Sequence, residues 1–562
     1  MEKMNGAELI IRLLENQGIT TIAGIPGGAN LPLYDALQRS TKIRHVLSRH
    51  EQGAGFIAQG MARSTGKPGV CFATSGPGAT NILTAIADAF LDSVPLICIT
   101  GQVPKTLIGT DAFQEVDTYG LSIPITKHNY LIRSAAEISD TIQRAFEIAT
   151  TGRPGPVVID VPKDVQQEMI EIAGFPEPIQ QPSALPCAAD KIAQAADMIN
   201  NAARPILYLG GGVINSGAGE LALQLLEKSG LPTTMTLMGL GAISTRHPLA
   251  LGMLGMHAAR STNMALEECD LLIAAGVRFD DRATGKISEF CPDADVIHMD
   301  IDPSEVHKLR RANVALIGDL TDCIGELLPF IVEQKRPEWQ ARITELKTKH
   351  PLTIPESLVP QKPYGLIRKV AEIVGDDAII TTDVGKHQMW TAQVYPFCKP
   401  RQFLTSGGLG TMGFGLPAAI GAALANPDRL VVCFSGDGSL QMNIQELATA
   451  VEQRLNVKII VLNNNSLGLV RQQQNLFYNN NNFASDFAID IDFATIAKGF
   501  GMQSVDFKYS PLAGELLKDA LSAPGPCLIN VPIDKDEEVY PMVPPGAANT
   551  AMIGGYTTTT KN

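Results

Sequence analysis

The stretch from Leu430 to Leu469 constrains the fold of this chain more than any other. It begins with an apolar, β-branched run that predicts a buried strand, and a second such run spans residues 457–462. Between them, apolar residues at helical spacing predict a helix from Asn443 to Arg454. Such a strand–helix–strand unit has a right-handed crossover within a parallel sheet. We therefore expect an α/β fold in which both strands end at one edge, where such proteins bind ligands.

Polar residues follow both predicted strands. Gly436-Asp437-Gly438 comes after the first strand, and Asn463-Asn464 ends the second. Carboxylate and amide oxygens suit Mg²⁺, whose octahedral shell is usually completed by phosphate oxygens and water. The glycines permit close approach of a diphosphate, and the N-terminus of the following helix favours anions. An Asp between glycines is by itself most often a turn, but the second motif one strand later indicates a magnesium–diphosphate site.

Composition excludes several function classes. At 562 residues the chain is too long for one core, and three domains are expected. The net charge of −13, without a Lys/Arg cluster, gives no nucleic-acid footprint. Nine scattered cysteines fit free thiols in a reducing compartment. No apolar stretch is long enough to span a membrane. The first helix, which Asn5 and Glu8 are expected to cap, begins too early to leave room for a signal peptide. We therefore expect a cytoplasmic protein.

Alternating strand, loop and helix patterns predict three doubly wound α/β domains with parallel sheets. We expect these domains over residues 1–170, 190–330 and 364–540, followed by a tail over 541–562.

The segments between the domains have a different composition. The proline-rich residues 171–190 are expected to form a linker, and the charged residues 335–363 a connector punctuated by prolines. The strings TSGPGATN (74–81) and TSGGLGTMGFG (405–415) look faintly alike. This likeness suggests, without proving a repeat, that the two outer domains are related.

Glu51 lies where an apolar strand meets an apolar-faced helix, in RHEQGAGFIAQGMAR. Taken alone, it would be a helix-start glutamate satisfied by backbone N–H groups and the helix dipole. The motif pair described above, however, resembles the signature of thiamine-diphosphate (ThDP) enzymes. Such enzymes need a carboxylic acid against the aminopyrimidine ring of the cofactor, so that the ring deprotonates the thiazolium carbon. A glutamate whose pKa is raised in an apolar pocket can share that proton.

Motifs along essentially the whole chain resemble one family of ThDP enzymes. They are GIPGGANLPLYDA, TSGPGATN, GTDAFQE, GRPGPVVIDVPKD, GMLGMH, RFDDRATG, TTDVGKHQMW, TSGGLGTMGFGLPAAIGA and YPMVPPGAAN. Together they resemble the acetolactate (acetohydroxyacid) synthases, and among these the large catalytic subunits of the bacterial isozyme I type. The resemblance implies pyrimidine-binding, central FAD-binding and diphosphate-binding domains, in chain order.

The resemblance also implies an activity. Pyruvate would be decarboxylated and its two-carbon unit joined to a second pyruvate, giving 2-acetolactate, or to 2-ketobutyrate, giving 2-aceto-2-hydroxybutyrate. This is the first common step of branched-chain amino acid biosynthesis, with ThDP, Mg²⁺ and a structural FAD as cofactors. Glu51 of one subunit would meet the diphosphate site of another, so a homodimer is implied, with a small regulatory subunit as a partner.

The implied site residues fall into four groups. The catalytic residues are Gly28, Glu51, Gln114, Lys163, Arg282 and Met412. The residues expected to bind ThDP are Glu51, His387, Gly410, Met412, Gly436, Asp437, Gly438, Ser439, Asn464, Ser466, Gly468 and Leu469, of which Asp437, Asn464 and the Ser466 carbonyl ligate the metal. FAD would be held by Arg153, Gly210, Gly211, Gly212, Thr236, Leu237, His257, Gly276, Arg278, Asp280, Asp300, Ile301 and Asp319. The substrate pocket would be lined by Phe113, Met256, Arg282, Val384 and Gln473.

Some of these residues have simpler interpretations. Because no GxGxxG is present, Gly210–Gly212 is as consistent with close packing as with a dinucleotide turn. Arg282 could be paired with Asp280 or Asp281 instead of binding the carboxylate of the second keto acid. The apolar pocket residues could belong to the core.

Two positions depart from the family pattern. Lys386 replaces a common glutamine, which leaves the contacts near His387 open. Gln473 stands where a tryptophan is frequent, so the preference between pyruvate and 2-ketobutyrate cannot be copied from the family.

Two kinds of alternative remain. Pyruvate oxidase and glyoxylate carboligase share the fold, but RFDDR and GTDAFQE disfavour the first and Glu51 the second. An inactive regulatory paralogue is disfavoured by the presence of Glu51, Asp437 and Asn464.

Overall fold

The computed structural model describes residues 1–179, 187–356, 358–510 and 513–554. They form three α/β domains, each built on a six-stranded parallel sheet, and a separate two-stranded antiparallel pair. The predicted fold class is confirmed. No helix among the described residues is long and apolar enough to cross a membrane.

The first domain contains eight strands. They are β1 (Glu2–Asn5), β2 (Thr21–Gly24), β3 (Arg44–Leu47), β4 (Gly69–Ala73), β5 (Leu96–Gln102), β6 (His128–Leu131), β7 (Pro156–Pro162) and β8 (Met169–Ile172). The helices are Gly6–Asn16, Leu31–Gln38, Glu51–Thr65, Pro77–Leu91, Thr118–Ser122, Ile138–Thr150 and Lys163–Gln167. The parallel sheet has the order β3-β2-β4-β5-β7-β6.

The first helix begins as predicted. The side chain of Asn5 accepts the backbone N–H of Glu8, and the Glu8 carboxylate accepts that of Asn5, so the capping box is complete. The predicted linker, by contrast, starts too early at Glu171. Residues 169–172 pair with β1, a partner that local composition could not reveal. Residues 180–186 of this linker lie outside the described residues.

The middle domain contains six strands. They are β9 (Pro205–Leu209), β10 (Thr233–Met235), β11 (Ala250–Met253), β12 (Leu271–Ala275), β13 (Asp295–Asp300) and β14 (Val314–Ile317). The helices are Ala189–Asn201, Gly211–Ser216, Gly219–Ser229, Arg260–Glu268, Asp281–Thr284 and Leu320–Leu327. The order β11-β10-β9-β12-β13-β14 is that of dinucleotide-binding sheets, which bind their ligand where the order reverses, between β9 and β12.

The connector predicted over residues 335–363 contains the helix Pro337–Lys349. Pro337 occupies its first turn, where a missing N–H costs nothing. Trp339, Ile343 and Leu346 lie on one face and are buried, and Trp339 Nε1 donates to the Pro205 carbonyl at 3.0 Å. The predicted connector therefore contains an ordered helix, which the charged composition obscured because its apolar stripe has only three residues.

The third domain contains β15 (Ile379–Thr382), β16 (Phe403–Leu404), β17 (Val431–Gly436), β18 (Val457–Asn463), β19 (Gln503–Asp506) and β20 (Cys527–Pro532). Its helices are Pro363–Val374, Lys386–Val394, Gly415–Ala425, Asp437–Leu440, Glu446–Glu452, Gly468–Phe477, Phe493–Gly499 and Ala513–Ser522. β17 and β18 are adjacent and parallel, as predicted. The helix between them is shorter than the predicted 443–454.

The two outer sheets have the same topology. The third runs β16-β15-β17-β18-β20-β19, and numbering the strands within each six-stranded sheet gives 2-1-3-4-6-5 for both. The outer domains are thus related in topology. The two similar strings do not mark equivalent places, however, because residues 74–81 follow the third strand of their sheet and residues 405–415 follow the second.

Equivalent helices join the outer domains. Glu51–Thr65 follows the second strand of the first sheet, and Gly415–Ala425 follows that of the third. A Cβ on Gly60 would lie 2.1 Å from the Ala418 carbonyl oxygen, and one on Gly421 1.9 Å from that of Ile57. Only glycine permits this backbone approach, which places the helix headed by Glu51 against the third domain.

Candidate cofactor and substrate site

Asp437 is buried at the carboxyl end of β17. Backbone N–H groups of Gly438 and, from the segment after β18, of Asn464 and Ser466 favour the ionised form of its carboxylate. Burial raises the pKa of Asp437 to about 6, against the opposing effect of these amides. The two motifs singled out in the sequence therefore meet at one edge of the sheet.

Oxygen atoms suited to a hard cation gather beside Asp437. Asn464 Oδ1 accepts the Ser466 backbone N–H at 3.2 Å, and the buried Ser466 hydroxyl has no hydrogen-bond partner in the described part of the chain. Within those described residues, no group of three or more His, Cys, Asp or Glu could hold a metal ion. A metal bound here would need ligands from outside the protein, which is typical of Mg²⁺ with phosphate oxygens.

His387 and the neighbouring glycines form a close-packed wall of this site. A Cβ on Gly436 would lie 3.0 Å from the His387 ring, and one on Gly468 would lie 2.6 Å from Asn464 Nδ2. Burial lowers the pKa of His387 to about 3, so the ring is neutral at physiological pH. Ser439 closes the group by donating its hydroxyl to the Val384 carbonyl at 3.0 Å.

Lys386, the departure from the family pattern, has a definite place. Its ammonium donates to the carbonyl of Glu537 at 2.6 Å and to that of Lys535 at 3.4 Å. Its side-chain carbons lie against Gly468, where an added Cβ would approach Lys386 Cδ to 3.0 Å. Burial lowers the pKa of Lys386 to about 8. The residue therefore ties the segment after β20 to the cofactor edge of the sheet.

The loop that carries Gly410 and Met412 is held by buried charges that sequence reasoning missed. Asp92 accepts the backbone N–H groups of Gly407 at 3.0 Å and Gly408 at 2.7 Å, and it pairs with Arg63 at 2.9 Å. The Asp92 carboxylate is fully buried, so this arrangement depends on complete pairing. The signal in the sequence that could have indicated these charges is Arg63, a charged residue on the otherwise mostly apolar helix Glu51–Thr65.

Glu51 begins its helix, as predicted, but does not cap it. His50 Nδ1 accepts the Gln52 backbone N–H at 3.1 Å, whereas the Glu51 carboxylate accepts Asn81 Nδ2 at 2.9 Å. The simpler interpretation of Glu51, a carboxylate that accepts backbone N–H groups at the start of the helix, is therefore not observed. The half-buried carboxylate is held by a neutral side chain instead.

Glu446, another residue that sequence reasoning missed, fixes the start of the Glu51 helix. Its carboxylate, from the third domain, accepts the backbone N–H groups of Arg49 at 2.9 Å and His50 at 3.1 Å. Burial raises the pKa of Glu446, against the effect of its hydrogen bond from Thr449. No local pattern predicts a contact between residues 397 positions apart.

The other first-domain candidates are more dispersed. Gln114 has a positive φ of 59° and lies against Gly76, whereas Gly28 and Phe113 are exposed and Lys163 begins a short helix. Among the described residues, no hydrogen bond or ion pair joins Gly28, Phe113 or Lys163 to Glu51.

Arg282 lies at a small cavity. The cavity is about 150 Å³ in volume and is lined by Met256, Asp281, Arg282, Gly285, Val543, Pro544, Gly546 and Asn549. Asp280 uses its carboxylate to accept the backbone N–H groups of Arg282 and Ala283, and the exposed Arg282–Asp281 pair is 3.9 Å long. Solvent-exposed ion pairs contribute little to stability, so this pair holds the guanidinium weakly. The guanidinium therefore remains able to bind a carboxylate.

Close packing accounts for part of the glycine pattern in the middle domain. A Cβ on Gly212 would lie 2.6 Å from Gly276 Cα, and one on Gly210 would lie 2.1 Å from the Gly276 carbonyl oxygen. These glycines follow β9 and β12, the strands that flank the reversal of the sheet order. The packing alternative is thus real, and it occurs at the crevice where a dinucleotide would bind.

Several other residues expected to hold FAD have partners within the chain or shifted pKa values. Arg153 pairs with Glu305 at 2.9 Å, and Arg278 donates to the Leu91 carbonyl at 2.8 Å. Burial raises the pKa of Asp300 to about 6 and lowers that of His257 to about 4. Thr236, Asp280 and Asp319 cap short helical segments, those that begin at Leu237, Asp281 and Leu320.

Comparison with known proteins identifies the family. Three profiles match in chain order: the N-terminal TPP binding domain of thiamine pyrophosphate enzymes over residues 4–121, their central domain over 192–327, and their C-terminal TPP binding domain over 383–531. The acetolactate synthase isozyme 1 large subunit of Escherichia coli is 60% identical over 553 residues, with 98% of both chains covered. The chain belongs to the acetolactate synthase large subunits.

Two further acetolactate synthases extend the similarity. The isozyme 2 large subunit of Escherichia coli is 46% identical and covers 98% of this chain and 99% of its own. A probable acetolactate synthase large subunit of Methanocaldococcus jannaschii is also 46% identical, over 98% of this chain and 95% of its own. The edge around Asp437 thus belongs to the C-terminal cofactor-binding domain of a thiamine pyrophosphate enzyme.

Proposed function

We propose that the protein decarboxylates pyruvate and joins the two-carbon unit to a second pyruvate, giving 2-acetolactate, or to 2-ketobutyrate, giving 2-aceto-2-hydroxybutyrate. The proposal rests on the buried Asp437 carboxylate, which gathers the strand ends of β17 and β18 in a chain related along its length to acetolactate synthases. ThDP supplies the carbon nucleophile that decarboxylation requires. Asp437, Asn464 and the Ser466 carbonyl would hold its diphosphate through Mg²⁺.

The decisive experiment is product analysis with pyruvate alone and with pyruvate and 2-ketobutyrate mixed. We expect 2-acetolactate in the first case and both acetohydroxy acids in the second. Pyruvate-dependent reduction of a quinone without acetolactate would instead indicate an oxidase, and no reaction with bound cofactors would indicate a regulatory paralogue.

We infer that FAD binds the middle domain between β9 and β12. The strand order and the glycines at both strand ends support this. The residues would position the flavin without performing a net redox step. Visible absorbance of the purified holoenzyme, lost with release of flavin on unfolding, would test it.

We infer that the active unit is a homodimer. Large apolar side chains are exposed on both outer domains, namely Phe113, Leu121 and Ile123 on the first and Leu409, Met442 and Val470 on the third. The large-subunit relatives further support a small regulatory subunit as a partner.

Mixing two inactive variants tests whether each site draws on two subunits. We expect Glu51→Gln and Asp437→Ala chains, unfolded and refolded together, to recover about a quarter of wild-type activity. Half of randomly assorted dimers are mixed, and each of these has one intact site. Recovery would be absent if Glu51 and Asp437 served the same site from one chain.

Arg282→Ala should impair the second keto acid more than the first decarboxylation. Loss of a charge-assisted hydrogen bond to its carboxylate costs roughly 1.5–3 kcal/mol. The measurement compares single-turnover CO₂ release from pyruvate with the KM for the acceptor. Arg282→Lys is the matched control, because it keeps the charge but loses bidentate geometry. Equal loss in both steps would show that Arg282 supports the fold.

Gln473→Trp should shift the products toward 2-aceto-2-hydroxybutyrate. Gln473 is partly buried on the helix Gly468–Phe477, and its flexible polar side chain should grip the extra methyl of 2-ketobutyrate poorly. An apolar ring there should gain roughly 1–3 kcal/mol of discrimination for this methylene. The measurement is the product ratio in competition.

Gln474→Trp provides the control on the same helix. The natural enzyme should show little preference for 2-ketobutyrate. A strong natural preference, or an unchanged ratio in Gln473→Trp, would contradict this role.

A further inference from the structure

The two residues proposed to contact the acceptor belong to different domains. Arg282 lies in the middle domain and Gln473 in the third, and their sheets share no hydrogen-bonded strand pair among the described residues. Binding sites need their side chains held within about 0.5 Å. Something must therefore fix the two elements relative to each other. We define the C-terminal segment as residues 534–554, which form hydrogen bonds both with the helix that carries Gln473 and with the turn that carries Arg282.

The third-domain end of this segment is joined through Gln472, the neighbour of Gln473. Gln472 Nε2 donates to the Val539 carbonyl at 2.9 Å, and its Oε1 accepts the Val539 backbone N–H at 3.0 Å. Gln472 is fully buried. Because successive residues on a helix are about 100° apart, fixing Gln472 also fixes the direction of Gln473. Arg471 adds an ion pair to Asp536 at 2.8 Å.

The middle-domain end is joined at the turn that carries Arg282. Asn549 Nδ2 donates to the Ala283 carbonyl at 2.8 Å, and the Asn549 carbonyl accepts Asn263 Nδ2 at 3.2 Å. An antiparallel bridge pairs Gly285 with Ala548 beside it. Asn549 is buried, so these bonds are shielded from water.

Between these two ends the segment borders the cavity itself. Val543 donates its backbone N–H to the Met256 carbonyl at 2.8 Å, and Met256 donates to that of Arg282 at 2.9 Å. Val543, Gly546 and Asn549 line the cavity together with Arg282. One continuous stretch of backbone thus touches the Gln473 helix, the cavity and the Arg282 turn.

We propose that Gln472 and Asn549 are positioning residues for the second keto acid, which act through the C-terminal segment. Gln472 sets the orientation of the helix that carries Gln473, and Asn549 sets the turn that carries Arg282. This assignment rests on the proposed function and deepens it, because it names what places the acceptor-binding residues.

The test uses Gln472→Ala and Asn549→Ala holoenzymes, with 2-ketobutyrate varied at saturating pyruvate. Each variant should raise the KM for 2-ketobutyrate roughly three- to tenfold, as expected for a lost buried hydrogen bond. Single-turnover CO₂ release from pyruvate should stay within about twofold of wild type. Gln474→Ala is the matched control, because this amide on the same helix bonds Phe483 and Ser485 rather than the C-terminal segment. Its KM should not change.

The double variant distinguishes one shared tie from two separate effects. If both residues act through the same segment, releasing either end should already remove most of its positioning of the acceptor site. The KM of the double variant for 2-ketobutyrate should then resemble that of the worse single variant. Additive effects, an unchanged KM in both single variants, or an equal loss of CO₂ release would overturn the proposal.

Two precautions keep the result interpretable. If Gln472→Ala does not fold, Gln472→Met keeps the side-chain volume. If Asn549→Ala does not fold, Asn549→Ser keeps a polar side chain. The same changes in KM are expected of these variants. A wild-type enzyme that makes no acetolactate from pyruvate would overturn the proposed function itself, whereas normal acetolactate formation with unshifted variants would overturn only the positioning role.

Discussion

Asp437→Ala should abolish ThDP binding and activity together. The Asp437 carboxylate is buried and the amides of Asn464 and Ser466 favour its ionised form, so its removal would leave the proposed metal without its charged ligand. Because even outer-shell partners cost 10–100-fold in metal affinity, we expect the loss to be at least about 100-fold. Equilibrium dialysis of ThDP with and without Mg²⁺ measures it directly.

Asp506→Ala is the matched control for this variant. Asp506 also lies at the end of a strand of the third sheet, as the last residue of β19, but its carboxylate accepts the Lys508 backbone N–H and an Asn530 amide instead. It should therefore keep ThDP affinity. Chelation of the metal from wild type should mimic Asp437→Ala and be reversed by Mg²⁺. An Asp437→Ala protein that binds ThDP normally would show that the metal assignment is wrong.

Glu51→Gln should keep its cofactors yet lose activity by roughly 10²–10⁴-fold, the usual contribution of a positioned acid or base. Glutamine retains the size of the side chain and can still bond Asn81, but an amide cannot share a proton with the aminopyrimidine ring. The measurement is hydrogen–deuterium exchange at the thiazolium carbon of bound ThDP, which should slow in parallel.

Glu51→Asp separates chemistry from structure. It keeps the carboxyl group but shortens the side chain by one methylene, so exchange should fall between wild type and Glu51→Gln. The helix should persist in both variants, because His50 and Glu446, rather than Glu51, hold its start. Exchange at the wild-type rate in Glu51→Gln would remove Glu51 from its proposed role.

The sequence by itself determined the features that depend on neighbours along the chain. Alternation and β-branched runs predicted β17 and β18, and their pairing followed from the handedness of a short crossover. The capping box of Asn5 and Glu8 was visible because both partners lie within one turn. The motif after β17 and that after β18 were expected to meet, since parallel strands joined by one crossover end at the same edge.

Only the tertiary structure decided the contacts between distant segments. The bonds of Glu446 to the start of the Glu51 helix, and of Asn549 to the Arg282 turn, join residues 397 and 266 positions apart. Apolar periodicity also failed to predict the helix Pro337–Lys349, because its apolar stripe has only three residues. The partner of Trp339, the Pro205 carbonyl, is distant in sequence. Local spacing specifies which face of an element is apolar, whereas the partner of a buried polar group depends on how the three sheets pack.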